Sequence, residues 1–229
     1  MSARTILITG AASGIGRAAA LALAAKGHRL GLIDISASGL EETAIECAQA
    51  AALVTCCCDV SDENAINDAI AHALNALGRP DILVASAGIA RYGPFAELTT
   101  IDWQSQFAVN VMGTIHPIRA VLPQMVAAGQ GLVIAVGSRR GLEPKSTTSA
   151  YSASKGALHA AMRALQAEYG PKGVDFSYLA PGGTQTGLAS PKDERFMSAE
   201  TVGTAIAFMC ESYPAGWVRQ LEILPRGLD

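Results

Sequence analysis

An α/β fold, with a parallel sheet covered by helices on both faces, is what this sequence predicts, on three observations. Short apolar runs alternate with longer helix-patterned segments almost from end to end. The runs are continuously apolar rather than alternating, which marks strands covered on both faces and joined by helical crossovers. Polar residues and glycines collect just after these runs, at the strand ends where open parallel sheets bind ligands. Right-handed crossovers then give a Rossmann-like, doubly wound sheet of about seven strands. The 229 residues suit one domain, 1–229, because a single core stops growing only beyond roughly 250–300 residues.

The first run, "RTILIT", leads into "TGAASGIGRAAALALAAKG", with a helix expected from about Gly14. Gly10, Gly14 and Gly16 let the backbone turn sharply and approach a pyrophosphate without a Cβ in the way. The free amides of the helix start, around Ser13 and Ile15, then face the anion. A glycine-rich turn alone is a weak signal, and its place after the first strand strengthens it. The second run, "HRLGLID", ends on Asp34, about 20 residues past the last glycine, where a carboxylate hydrogen-bonds a ribose diol and repels a 2′-phosphate. NAD(H) is therefore favoured, with NADP(H) the alternative through Arg17, one turn into the helix. The third run, "ALVTCCCDV", carries Cys56, Cys57 and Cys58 and ends at Asp59 and Val60. Neighbours on a strand point to opposite faces, so three consecutive thiols do not converge on a metal. Buried small side chains in a central strand are the expectation, and no metal is assigned. Asp59 either meets an adenine edge or caps the next helix.

That helix, "SDENAINDAIAHALNAL", is expected to be capped at Ser61. The fourth run, "DILVAS", is followed by Ala87 and Gly88, and then by one long helix from Ile101 to Ala127 that contains Asn110. The fifth, "GLVIAV", is followed by Ser138, Arg139 and Arg140. A helix carrying "YSASK" places Tyr151 and Lys155 four positions apart on one face, so a phenol and an ammonium address one point. The sixth run, "VDFSYLA", opens into "PGGTQT", with Pro181, Gly182, Thr184 and Thr186. A helix capped at Ser198 and a last run, "LEIL", complete the order.

Composition excludes several classes. A formal net charge of -3 and no long Lys/Arg run argue against nucleic acid as a partner. No apolar stretch reaches transmembrane length and no secretory leader is evident, so a cytoplasmic protein without membrane attachment is expected. Five cysteines suit a compartment where thiols stay reduced.

"TGAASGIG", Asp34, Asp59-Val60, "ASAG", Asn110, Ser138, "YSASK" and "PGGTQT", in that order and across nearly the whole chain, resemble the short-chain dehydrogenase/reductase family. The resemblance implies interconversion of a secondary alcohol and a ketone by hydride transfer with NAD(H). Tyr151 would be the acid/base. Lys155 would bind the nicotinamide ribose and lower the Tyr151 pKa, Ser138 would orient the substrate oxygen, and Asn110 would support a proton relay through water. Pro181, Gly182, Thr184 and Thr186 would meet the cofactor's carboxamide or pyrophosphate. A homodimer or homotetramer is implied as well.

The chain departs from the family pattern in three places. Ala85-Ser86-Ala87-Gly88 stands where Asn-Asn-Ala-Gly is common, the stretch "GLASPKDERFMS" is short for a substrate cover, and "LEILPRGLD" lacks the usual Asp-Gly-Gly. Arg91 and Tyr92 are expected at the pocket rim, with Phe95, Leu142 and Leu188 as apolar walls. Arg139 and Arg140 are either solvated loop charges or ligands for an anionic substrate. A non-catalytic dinucleotide-binding scaffold and a nucleotide-free lyase of the same fold are the competing classes. The intact Ser138, Tyr151 and Lys155 speak against the first, and the glycines with Asp34 against the second.

Overall fold

Alternate side chains of strand β1 (Thr5–Thr9) enter two different cores, which is why the run is apolar throughout. Ile6 and Ile8 pack with helices α1 (Gly14–Ala24) and α7 (Ala199–Ser212) through Leu23, Val202 and Ile206. Leu7 packs on the opposite face with α3 (Glu63–Leu77), α5 (Gly113–Ala128) and α6 (Ser149–Tyr169) through Ile70, Val121 and Leu158. Burying large aliphatic side chains of this kind is worth about 1.5–3 kcal/mol each.

The computed structural model describes residues 3–188 and 193–227. In it β1 joins β2 (Arg29–Asp34), β3 (Ala52–Cys57), β4 (Ile82–Ala85), β5 (Gly131–Val136), β6 (Val174–Pro181) and β9 (Gln220–Ile223) in one parallel sheet. The order is β3-β2-β1-β4-β5-β6-β9, so the winding reverses between β1 and β4. Thr9 lies beside Ile33 on one side and Ala85 on the other, which aligns the strand ends that carry the polar residues. Two short strands, β7 (Thr184–Gln185) and β8 (Met197–Ser198), pair beyond the end of β6. The predicted sheet and its helices on both faces are thus present.

Four expectations are corrected. The strand of the cysteine run is at the sheet edge, not the centre. Cys56 alone of the three is buried, in the core with α3, while Cys57 is exposed and Cys58 is half-buried, because the helices cover the sheet less completely at this edge. The cap of α3 is Asp62, whose carboxylate accepts from the Asn64 and Ala65 amides at 2.9 and 3.1 Å. Ser61 instead donates its amide and hydroxyl to Asp59, both at 2.8 Å. The helix expected over Ile101–Ala127 is three pieces: α4 (Thr100–Phe107), a π turn at Ala108–Met112, and α5. Among the described residues no helix is long and apolar enough to cross a membrane, and no cluster of three metal-ligating side chains occurs.

Candidate active site

A cavity of about 740 Å³ opens where the winding reverses, above the carboxyl ends of the strands. It is lined by Gly10, Ser13, Gly14, Ile15, Gly16, Asp34, Asp59, Val60, Ala87 and Gly88 from the β1 to β4 side. Ser138, Tyr151, Lys155, Pro181, Gly182, Thr184 and Thr186 line the rest. Every residue singled out from the sequence as catalytic or cofactor-binding therefore borders one space, except Asn110, which lies behind it, and Arg17, the NADP(H) alternative.

The glycines of the first turn are needed by approach as well as by angle. Gly10 has φ of 70°, and a Cβ there would stand 2.7 Å from the Ala87 amide nitrogen. A Cβ on Gly16 would stand 2.0 Å from the Gly10 carbonyl oxygen. The resulting hollow, at the amino end of α1 where backbone amides are free, is shaped for a pyrophosphate. Asp34 is held in place by amide donors, from Ala12 to Oδ2 and from Ser36 to Oδ1, both 3.0 Å. Arg17 is turned away from the cavity into ion pairs with Glu42 at 3.6 Å and with Glu46. The glycine hollow, the Asp34 carboxylate and the adjoining rim fit a dinucleotide.

Asn110 sits fully buried in the π turn, a kind of helix irregularity common at functional sites. Its Oδ1 accepts from the Ile89 amide at 2.8 Å, and its Nδ2 donates to the Ile89 carbonyl at 2.9 Å and to the Ser154 hydroxyl at 3.0 Å. The side chain thus ties the loop after β4 to the helix that carries Tyr151. Helix α6 places Tyr151 and Lys155 one turn apart, both buried. The Lys155 ammonium donates to the Val136 carbonyl at 2.9 Å, and burial lowers its pKa from 10.5 to about 8. Burial raises the Tyr151 pKa, while hydrogen bonding from Ser138, the charge of Arg140 and hydrogen bonding with Tyr92 pull it down.

Tyr92 forms part of the wall, its ring edge-on to Tyr151 with centroids 5.4 Å apart. Its loop is pinned by the Gly93 amide, which donates to the Thr147 carbonyl at 2.9 Å. Leu188 lines the cavity as expected. Leu142 instead packs on the core beneath α6, and Phe95 is 74% exposed against Trp103. Arg91 offers its backbone amide to Gln106 and does not line the space. Phe196 and Pro225, from the last third of the chain, complete the wall and had no sequence signal. Of the short covering stretch, residues 189–192 lie outside the described residues.

Comparison with known proteins agrees with this geometry. A sequence model described as "short chain dehydrogenase" matches residues 4–195. The chain is 37% identical over 182 residues to D-threitol dehydrogenase of Mycolicibacterium smegmatis, spanning 79% of this chain and 70% of that one. It is 42% identical over 192 residues to galactitol 2-dehydrogenase (L-tagatose-forming) of Cereibacter sphaeroides, spanning 82% and 74%. The solved alcohol dehydrogenase of the archaeon Thermococcus sibiricus, complexed with 5-hydroxy-NADP, superposes with a TM-score of 0.93 at 26% identity, covering 100% of this chain and 99% of that one.

Proposed function

The chain belongs to the short-chain dehydrogenase family, oxidoreductases acting on CH–OH groups with NAD(P), and we propose that it is an NAD(H)-dependent enzyme interconverting a small secondary alcohol and its ketone. The observation that carries this reading is the convergence of Ser138, Tyr151 and Lys155 on one wall of the cavity whose far end holds the glycine hollow and Asp34. When bound, the nicotinamide supplies the hydride acceptor or donor.

The protein's own groups do the rest. Tyr151 takes the proton from the alcohol oxygen, or returns it to the ketone oxygen. Ser138 holds that oxygen in line. Lys155, already drawn to the Val136 carbonyl, offers its remaining N–H groups to a ribose diol and favours the Tyr151 phenolate. Asn110 keeps the Ile89 loop and α6 in register, where a relay through water can leave the site. Residues 1–229 act together as one cytoplasmic domain, assembled as a homodimer or homotetramer.

The preference for NAD(H) is supported by Asp34 and by the engagement of Arg17 with Glu42 and Glu46. Fluorescence titration with NADH and NADPH tests it. Tighter NADH binding is expected, NADPH preference would reverse the cofactor assignment, and binding of neither would reject the dehydrogenase and the dinucleotide-binding scaffold alike.

A further inference from the structure

The two ends of the cavity differ in charge. Its acidic lining residues are Asp34, at the end of β2, and Asp59, after β3. Arg140 follows β5, three and four strands away, or roughly 14–19 Å at the usual strand spacing.

We propose that Arg140 binds a carboxylate carried by the substrate, so that the alcohol or ketone reacting at Tyr151 is a hydroxy or keto acid. This rests on the dehydrogenase reading above and names its substrate class.

Arg139 and Arg140 are chemically alike and placed very differently. The Arg139 guanidinium is spent on the Glu143 carboxylate at 2.9 Å. Arg140 donates only to the neutral Glu143 carbonyl, at 2.9 Å, and no carboxylate lies within 4 Å of it among the described residues. Its backbone is fixed by the Ser138 hydroxyl, which accepts the Arg140 amide at 3.1 Å. Arg140 is half-buried, burial lowers its pKa, and its charge reaches both Tyr92 and Tyr151. The Glu143 charge acts on Arg140 more weakly than burial and the Arg139 charge, and its carboxylate is paired with Arg139. A half-buried guanidinium whose own hydrogen bond goes to a carbonyl is stabilised by an incoming anion, which it binds in a bidentate fork.

The anion is assigned to the reacting molecule because Arg140 lines the Tyr151 end of the cavity, away from the glycine hollow that would take the cofactor's pyrophosphate. Lys145 lines that side too, at an exposed position, and adds attraction at the entrance. With Lys145 left in solvent at the entrance, the one half-buried guanidinium is balanced by one negative charge, which favours a carboxylate over a phosphate monoester. The named polyol relatives set the alternative: a neutral hydroxylated chain taking the same guanidinium donors.

The test compares keto acids of four to six carbons with their methyl esters, matched neutral polyols and phosphate monoesters, using the full chain with NAD(H). Charged hydrogen bonds predict a kcat/KM advantage of acid over ester of about tenfold or more. The ratio should fall to within about threefold in Arg140→Gln and be partly kept in Arg140→Lys. Esters, polyols or phosphate monoesters equal to or better than the acids in the unmodified protein would overturn the inference. So would an acid preference that survives Arg140→Gln in a variant still binding NADH. Polyol turnover without acid preference sinks this inference and leaves the dehydrogenase reading intact. If no alcohol or ketone is turned over, the dehydrogenase reading fails. Calorimetry on the NADH-loaded protein then decides the anion site: tighter binding of acid than ester supports it, and equal binding rejects it.

Discussion

The Tyr178 hydroxyl accepts the Ser138 amide proton at 3.2 Å and has two carbonyls to donate to, Ser138 at 3.3 Å and Lys155 at 3.1 Å. One buried phenol in β6 thus fastens the turn that carries Ser138 to the helix that carries Tyr151 and Lys155. The fit requires glycine beside it, since a Cβ on Gly137 would fall 2.0 Å from the Tyr178 ring. Tyr178→Phe keeps the ring and strands buried polar groups, so stability should drop by about 1–3 kcal/mol. Loss of alignment should lower kcat more than it changes cofactor binding. Denaturant unfolding and turnover measured together check this, and a variant equal to the parent in both would show the hydroxyl to be idle.

Asp34 serves two masters in this structure, since it orders the Ala12 and Ser36 amides and faces the cavity. On the proposed reading Asp34→Ala removes a carboxylate that would repel a 2′-phosphate, so the ratio of NADH to NADPH affinity should fall by about tenfold or more. Parallel titrations read this directly. A preference unchanged in the variant would place cofactor discrimination elsewhere.

Lys155 makes the unliganded protein sensitive to alkaline pH in an unusual direction. Burial brings its pKa from 10.5 to about 8, so between these values the folded chain has released a proton that the unfolded chain still binds. The lysine's contribution therefore destabilises fully below pH 8, and stability rises with pH through the window up to 10.5. A cofactor diol and pyrophosphate favour the ammonium, so binding at pH 9 should take up to about one proton per site. Calorimetry in buffers of different ionisation heat measures that uptake; zero uptake would mean that the ammonium gains nothing from the cofactor.

Much of this was legible because local chemistry and fold pointed the same way. Continuous apolar runs could be read as two-sided strands, and the glycines and "YSASK" carried spacing that survives folding. What escaped depended on distant chain segments. That β3 is an edge strand follows from sheet order, which periodicity does not encode, so the cysteines were misplaced. The break at Asn110 is held by Ile89 and Ser154, 21 and 44 residues away. Phe95, expected as an apolar wall if its loop folds over the site, instead packs on Trp103 at the surface, whereas Phe196 reaches the cavity through the pairing of β7 with β8.

Asn110 should accordingly be sensitive to isosteric change. Asn110→Asp removes the two Nδ2 donations to Ile89 and Ser154 and places a carboxylate in a fully buried site. A loss of about 2–4 kcal/mol is expected, relieved at low pH where the acid is protonated. Thermal melts at pH 5 and 8 distinguish this from a role confined to turnover, which would leave both melts at the parental value.

Tyr92 provides the sharpest separation between the acid/base group and its setting. Tyr151→Phe should retain NADH binding and lose about 10²–10⁴-fold in turnover, because phenylalanine can neither take nor give the proton at the substrate oxygen. Tyr92→Phe removes a hydrogen bond that lowers the Tyr151 pKa and leaves the reacting phenol in place. The alcohol must lose its proton to a phenolate, so oxidation rises as Tyr151 ionises. The rising limb of the oxidation profile should therefore move to higher pH in Tyr92→Phe, by up to about one unit, or 1.4 kcal/mol. A shift to lower pH, or near-parental turnover in Tyr151→Phe, would remove Tyr151 from the proton-transfer role.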